Sequence, residues 1–588
     1  MKRKVKMAVQ APSFRPTVVG NHYAAATGHY LATAAAMRIL DGGGNAVDAG
    51  VTAAMALTIL QPDMVSFAGV APTLIYLKKE DRVVSLAGLG YWPKATDIKR
   101  LMAAGNGLHV PEGLLRTVIP AAPATNIEAL RRYGTISFEQ AATAAMEIAR
   151  DGFAMYPLLA NNIEYTAEQF ARWPDNARVF LPGGKPPAIG DVFRQEDLAR
   201  TIFRMIEAER NAHGDRDKKL RAVHDYFYCG PLAGAIADYH RQHGGFVTRD
   251  DLAGFEVPVE NSISITYRDY EVHSCDVWCQ GIVLLESLKI LEGHDLKGLG
   301  HNSVAYLHVV NQALNLAFAD REAYLGDPQF VNVPRAAMLS DTYAVKQRAR
   351  INPRQAFPTL PDPGYPDGAP PPFLLHARDN KTEPAERGVA RALQPGTTYG
   401  CVIDREGNGY SVTVSDPQYD TPIIPGTGLA ISSRGCQSRL TSGHPSVAAP
   451  GKRPRLTPNP SLAVRAGKLF MTFGTPGGDV QSQAMLQVFL NITEFGMAVQ
   501  QAIEAPRMSS LSFPNSFAPH AYQPARFNAE DTFSAATITA LQGMGHDVDV
   551  WPRFPGQNGG VCAVMQHPAT GQRHAGADPR REGYAAAW

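Results

Sequence analysis

The sequence predicts an α/β (α+β) fold, on three observations. Strand-like runs alternate with helical ones along the whole chain. No internal repeat of short period is present, which removes solenoids and propellers. The composition, 45% apolar and 19% charged, is that of a folded chain and excludes the disordered classes. A length of 588 residues fits three or four domains or one large body.

Taken in order, the Ala-rich run Tyr30–Leu40 is helical and ends at Gly42-Gly43-Gly44. Asn45, with Asp48 three residues on, forms a capping box that opens a second helix through Leu60. Thr73–Tyr76 and Arg82–Leu86 are paired strands around the polar turn Lys78–Asp81. Helical spacing of Phe138, Ala142, Met146 and Ile148 predicts a helix within Ser137–Gly152, and Pro157–Phe170 continues helical after a break. Residues 209–222, dense in charge, are a solvated loop or helix face. Val304–Asp320 carries an i, i+3, i+4, i+7 apolar stripe and predicts an amphipathic helix, with His308 a core histidine. The Pro-dense stretch Asn352–Pro372 cannot build helices or ladders and is expected to be a mobile linker. Further on, Leu462–Val464 and Leu469–Phe473 are strands, Gly474–Gly478 is a tight loop, and Gln481–Phe489 is a helix. The tail adds a helix at Thr532–Met544 and strands near Asp547–Trp551 and Gly560–Met565.

Between linker and tail lies the stretch that carries chemistry. Thr398–Asp404 and Gly409–Ser415 are strand-like and flank the turn Arg405-Glu406-Gly407-Asn408, a β-hairpin with Val402, Ile403, Val412 and Val414 for its core. Thr397 stands at the head of the first strand, directly after Pro395 and Gly396. That placement suits a chain that cuts itself. The Thr397 hydroxyl attacks the Gly396 carbonyl, the peptide shifts to an ester, and water releases Thr397 as a new N-terminus. Its freed α-amine, with a pKa near ~8, then serves as general base for the same hydroxyl.

This stretch and its surroundings resemble the gamma-glutamyltransferase family of N-terminal nucleophile hydrolases. The matching residues are Thr397-Thr398-Tyr399, Val402-Ile403-Asp404, Gly407-Asn408, Ser411-Val412-Thr413, Pro450 to Pro454 and Gly474-Thr475-Pro476-Gly477-Gly478, with Gly43–Ala49, Ala149–Phe153, Gly244–Phe255 and Ala319–Pro328 upstream. The resemblance implies a four-layer αββα sandwich and self-cleavage at Gly396–Thr397. A large fragment, 1–396, and a small one, 397–588, would then form a single body. It also implies Thr397 as nucleophile, Gly477 and Gly478 as oxyanion-hole glycines whose N–H groups meet the developing charge, and Ser415 in place of a Thr beside the nucleophile.

Departures fall where the family reads the glutamyl group. The Arg that binds its α-carboxylate corresponds to Leu89, which cannot replace a bidentate Arg–carboxylate pair. Arg434 and Gln437 stand where the family carries Gln and Asp. The paired serines become Leu456 and Thr457. Pro417 stands in place of an Asn that contacts the amine, with Asp416 or Gln418 as substitutes. Arg434, Gln437, Thr457 and Tyr399 are therefore the candidate substrate-binding residues, and Tyr91 and Trp92 could add an aromatic wall.

The function expected is amide hydrolysis through an acyl-enzyme on Thr397, with a small-molecule amide that is not a simple γ-glutamyl compound. The alternatives are true γ-glutamyl transfer and an unprocessed, non-catalytic binding homologue. No metal or organic cofactor is required. A net charge of +1, without a basic run beyond Lys2–Lys6, speaks against nucleic acid. No apolar run of ~18 residues exists for a membrane span. Pro12, Arg15 and Pro16 interrupt any signal peptide, and six sparse cysteines fit a reducing compartment. A cytoplasmic location and a possible dimer of heterodimers complete the expectation.

Overall fold

The computed structural model describes residues 13–107, 109–374 and 396–588. Two seven-stranded antiparallel sheets form its centre. One runs in the order Tyr584–Ala587, Ala24–Thr27, Thr397–Ile403, Gly409–Ser415, Thr73–Leu77, Arg82–Leu86 and Val259–Asn261. The other runs Val18–Gly20, Arg573–Ala577, Cys562–Gln566, Lys468–Gly474, Ser461–Arg465, Tyr270–Ser274 and Ile263–Tyr267. Each sheet takes strands from both sides of Gly396.

Strand alternation sorts the side chains into layers. Tyr399, Cys401 and Ile403 face Leu462, Cys562 and Val564 between the sheets. On the opposite face Val402, Val412 and Val414 meet helix Ala46–Leu60 and its neighbours. Behind the second sheet, Val272, Met471 and Phe473 meet helices Gly281–Leu291, Val304–Tyr324 and Gln481–Thr493. Helix, sheet, sheet and helix give the αββα sandwich.

Local rules account for most boundaries. Asn45 and Asp48 form the capping box of helix Ala46–Leu60. Ser137 and Gln140 do the same for helix Phe138–Asp151. The hairpin turn closes through Asp404, which accepts from Asn408 N at 2.8 Å and from Asn408 Nδ2 at 2.8 Å. Asp404 also accepts from Ala46 N at 2.9 Å, tying the turn to the helix start. Ile403 packs between the sheets, away from the three valines expected to share its core.

Three expectations are corrected. Helix Val304–Tyr324 is not amphipathic: Tyr306–Tyr324 are all buried, because the helix runs through the middle of its layer. Its buried His308 is paired on both ring nitrogens, with Asn352 O at 2.8 Å and with His546 Nε2 at 2.9 Å. The Pro-rich stretch has no regular structure, yet it is pinned. Gly364 N donates to Asp320 Oδ1 at 2.7 Å, Phe357 N to Gln312 Oε1 at 2.8 Å, and Tyr324 Oη to Gly364 O at 2.8 Å. Residues 209–222 are a solvated loop and helix faces as expected: residues 212–215 join helices Glu196–Asn211 and Arg216–Tyr228, and within the stretch only Glu209 and Leu220 are buried. The helix expected over Pro157–Phe170 is two, Pro157–Tyr165 and Ala167–Ala171. The basic opening Lys2–Lys6 and Pro395 lie outside the described residues.

Candidate active site

Thr397 begins the third strand of the first sheet and pairs in register with Ser415. Alternation puts its side chain on the face toward the second sheet. Its Oγ1 lies 2.7 Å from Ser415 Oγ, and both residues are fully buried. Ser415 Oγ donates to the carbonyl oxygen of Gly396 at 2.8 Å. A serine has one hydroxyl proton, so Thr397 is the donor in its contact with Ser415. Gly396 fits because it lacks a side chain: an added Cβ would fall 1.9 Å from Met64 Cα.

Arg434 is buried completely and reaches the same carbonyl. Its Nη2 donates to Gly396 O at 2.7 Å and also to Ser415 Oγ. Its Nε lies 3.2 Å from Asp416 Oδ1, and Nη1 has no hydrogen-bond partner among the described residues. Asp416, at the left-handed φ of 100°, is fixed by Ser432 Oγ at 2.7 Å, Ser433 N at 3.0 Å and Ser433 Oγ at 3.0 Å. Burial raises the Asp416 pKa above its ordinary value, and the Arg434 charge and these donors offset only part of the rise. Gln418, the other candidate for the missing Asn, uses its side-chain amide elsewhere: its Nε2 donates to Val65 O at 3.4 Å and Thr58 O at 3.5 Å.

Arg434–Gln437 form a single 3₁₀ turn. From it Gln437 Nε2 donates to Thr457 Oγ1 at 2.8 Å. Thr457 is held in place because the neighbouring Leu456 pairs with the 278–280 segment: Leu456 N donates to Trp278 O at 2.8 Å, and Gln280 N to Leu456 O at 2.9 Å. Gln280 Nε2 then donates to Thr457 O at 3.1 Å and to Gly478 O at 2.9 Å. One hydrogen-bonded path therefore joins the Gly396 carbonyl to the Gly477–Gly478 turn.

That turn has φ of 124° at Gly477 and 56° at Gly478, a left-handed pair that side chains oppose. It leads into helix Gln481–Thr493, whose N-terminal end favours negative charge. Behind it, Arg321 Nη1 donates to Gln280 Oε1 at 3.0 Å and is ion-paired with Asp479. Ser516 N and Oγ donate to Asp479 at 2.7 and 2.6 Å. Gln280, Arg321, Asp479 and Met64 were not legible as site residues. Nearby Cys275 and Cys279 are buried and unbridged.

Tyr399 and Trp92 are buried side chains. The Tyr399 ring packs between the sheets, where a Cβ on Gly474 would come within 2.3 Å of it. Its hydroxyl lies 2.6 Å from Ser411 Oγ, and burial pushes its pKa well above the ordinary phenol value. Trp92 is likewise core, with Nε1 on Ser438 Oγ at 3.0 Å. Leu89 and Leu456 are buried between the sheets, so no charged reader stands at either position.

The gamma-glutamyltranspeptidase family model matches residues 32–588. The chain belongs to the gamma-glutamyltranspeptidase family. It is 30% identical over 555 residues to the acylase ACY 1 proenzyme of Pseudomonas sp. (strain SE83), covering 92% of this chain and 89% of that one. It is 29% identical over 573 residues to the glutathione hydrolase-like YwrD proenzyme of Bacillus subtilis (strain 168), covering 97% and 99%. Among solved structures, cephalosporin acylase from Bacillus halodurans superposes with a TM-score of 0.84 at 27% identity, covering 100% of this chain and 99% of that one. The structure of LmbA2991HD gives 0.90 at 31% identity, covering 98% and 100%. The curated relatives divide between glutathione hydrolases and acylases, and the chain is an enzyme of this hydrolase and acyltransferase group. No helix among the described residues is long and apolar enough to cross a membrane.

Proposed function

We propose that the chain is a self-processing N-terminal threonine amidohydrolase whose substrates carry an oxygen-bearing acyl group other than γ-glutamyl. The observation behind this reading is the placement of Thr397: a buried hydroxyl at a strand head, 2.7 Å from Ser415 Oγ, next to a glycine carbonyl gripped by two donors. Cleavage at Gly396–Thr397 would leave fragments 1–396 and 397–588. They stay together because strands of the small fragment pair with strands of the large one, Thr397–Ile403 with Ala24–Thr27 and Gly409–Ser415 with Thr73–Leu77.

In turnover the Thr397 hydroxyl attacks the substrate carbonyl while its α-amine takes the proton. Gly477 and Gly478 supply N–H groups to the oxyanion. The amine product leaves with that proton, and water, activated by the same α-amine, hydrolyses the ester. Arg434 supports the acyl preference: a buried guanidinium with Nη1 unpartnered is costly to leave unsatisfied, and a carboxylate or carbonyl on the acyl chain satisfies it. Leu89, buried in the core, supplies nothing for a glutamyl α-carboxylate. The acylase relatives support the same direction, and the proenzyme names of the relatives support the cleavage. Genuine γ-glutamyl transfer is the second reading, favoured by the glutathione hydrolase-like relative that matches almost end to end. A cytoplasmic location, supported by five buried unbridged thiols, and assembly as a dimer of heterodimers belong to the same proposal.

Intact mass under denaturing conditions, followed by an amide screen, tests the reading. Two chains are expected, the smaller beginning Thr-Thr-Tyr, with carboxyacyl amides cleaved faster than γ-glutamyl ones. A single persistent chain of 63.5 kDa would sink it and leave a binding homologue. Preference for γ-glutamyl amides would install the transferase reading.

A further inference from the structure

We infer that Arg434 and Ser415 form the oxyanion receptor for the self-cleavage step, distinct from the Gly477–Gly478 turn that receives the oxyanion in turnover. This rests on Thr397 being the processing nucleophile. The carbonyl that would be attacked already carries both donors, Arg434 Nη2 at 2.7 Å and Ser415 Oγ at 2.8 Å. The receptor is built rather than incidental. Arg434 and Ser415 are fully buried, and the guanidinium is aimed by Asp416, itself held at a left-handed φ by three bonds from Ser432 and Ser433. Met64 closes the remaining side, where a Cβ on residue 396 has no room.

The step balances. Thr397 Oγ1 bonds to the Gly396 carbonyl carbon, and the π pair moves onto Gly396 O beside Arg434. The Thr397 hydroxyl proton passes to Ser415 Oγ, while the Ser415 proton moves to Gly396 O and leaves a neutral tetrahedral centre. On collapse the C–N bond breaks, the carbonyl re-forms, and the proton returns through Ser415 to the Thr397 nitrogen. The products are an ester on Thr397 Oγ1 and a free α-amine. Water then splits the ester into the Gly396 carboxylate and the Thr397 hydroxyl. Arg434 stays charged throughout and acts on the developing oxyanion, where a charge-assisted donor is stronger than a neutral one.

The test follows cleavage, not turnover, in freshly purified full-length chain by intact mass against time. Arg434→Met is expected to cleave about 100-fold more slowly than wild type, the usual effect of removing one oxyanion donor. Arg434→Gln, a neutral donor, falls between them. Because a lone Asp416 carboxylate could unfold the single variant, Arg434→Met/Asp416→Asn removes both charges together, with thermal melting as the check on folding. In Arg434→Ala, millimolar methylguanidinium restores cleavage and methylammonium does not. Wild-type cleavage rates in the Met variants overturn the inference while leaving Thr397 as nucleophile. Failure of both Met variants to fold overturns it in favour of a structural ion pair. An uncut wild-type chain overturns the Thr397 reading itself.

Discussion

Thr397 and Gly396 carry the residue-scale consequences. Thr397→Ala removes the hydroxyl proposed to attack the Gly396 carbonyl, so a single uncut chain without amidase activity is expected on a denaturing gel. Thr397→Ser keeps the oxygen and should still cleave, more slowly. A cleaved Thr397→Ala chain would assign the nucleophile elsewhere. Gly396→Ala places a Cβ 1.9 Å from Met64 Cα. Since Met64 is backbone there, the chain must shift rather than a side chain rotate. The expected cost is about 1–3 kcal/mol of stability, read by denaturant melting, with processing slowed because the carbonyl leaves its two donors.

At the scale of elements, the Gly477–Gly478 turn depends on a strut it does not contain. Gln280 joins the head of helix Gly281–Leu291 to the turn through Gly478 O and to the Thr457 segment through Thr457 O. Arg321, from helix Val304–Tyr324, fixes the other end of the Gln280 amide at 3.0 Å. Gln280→Leu keeps the volume but drops both donors, leaving the turn free to rotate its N–H groups off the oxyanion. The expected outcome is a kcat reduced about 10-fold with KM within about twofold, because the lost bonds orient groups that act on the transition state while Thr457 keeps its bond from Gln437. An equal loss in KM would mean that Gln280 contacts substrate instead. Arg321 sits in a buried cluster in which Glu322 is pushed up by burial but held well below the carboxylate range by Arg455, Arg439 and Arg321.

For the whole molecule, Asp63 links the site's wall to stability. It is buried next to Met64, and burial raises its pKa to about 6, against a hydrogen bond from Asn162 at 2.6 Å and the more distant charge of Arg581. Its folded value exceeds the unfolded one, near ~3.9, so the native state favours the protonated acid. Its contribution is complete below about pH 4 and is lost as pH rises through about 6, on the order of 2–3 kcal/mol. Asp63→Asn should flatten that slope in melts taken between pH 4 and 7. An unchanged slope would show that Asp63 ionises freely in the folded state.

Sequence alone determined what is local or periodic. The hairpin at Thr397–Ser415, the Asn45 and Ser137 caps and the paired strands at residues 73–86 depend on neighbours within a few residues, so they are legible there. Thr397 beside Gly396 and the Gly477–Gly478 pair also stand out, as residue types that acyl chemistry needs. Tertiary structure decided what those residues touch. The apolar stripe of helix Val304–Tyr324 could not show that its polar side chains find buried partners from residues 343 to 546. Proline content forbade ladders at 352–372 without forbidding the contacts that pin it. Arg434, equally compatible in the sequence with the surface, lies in the interior because Asp416 and the Gly396 carbonyl, 18 and 38 residues away, meet it there. Burial turns its charge into an interaction that water would have screened away.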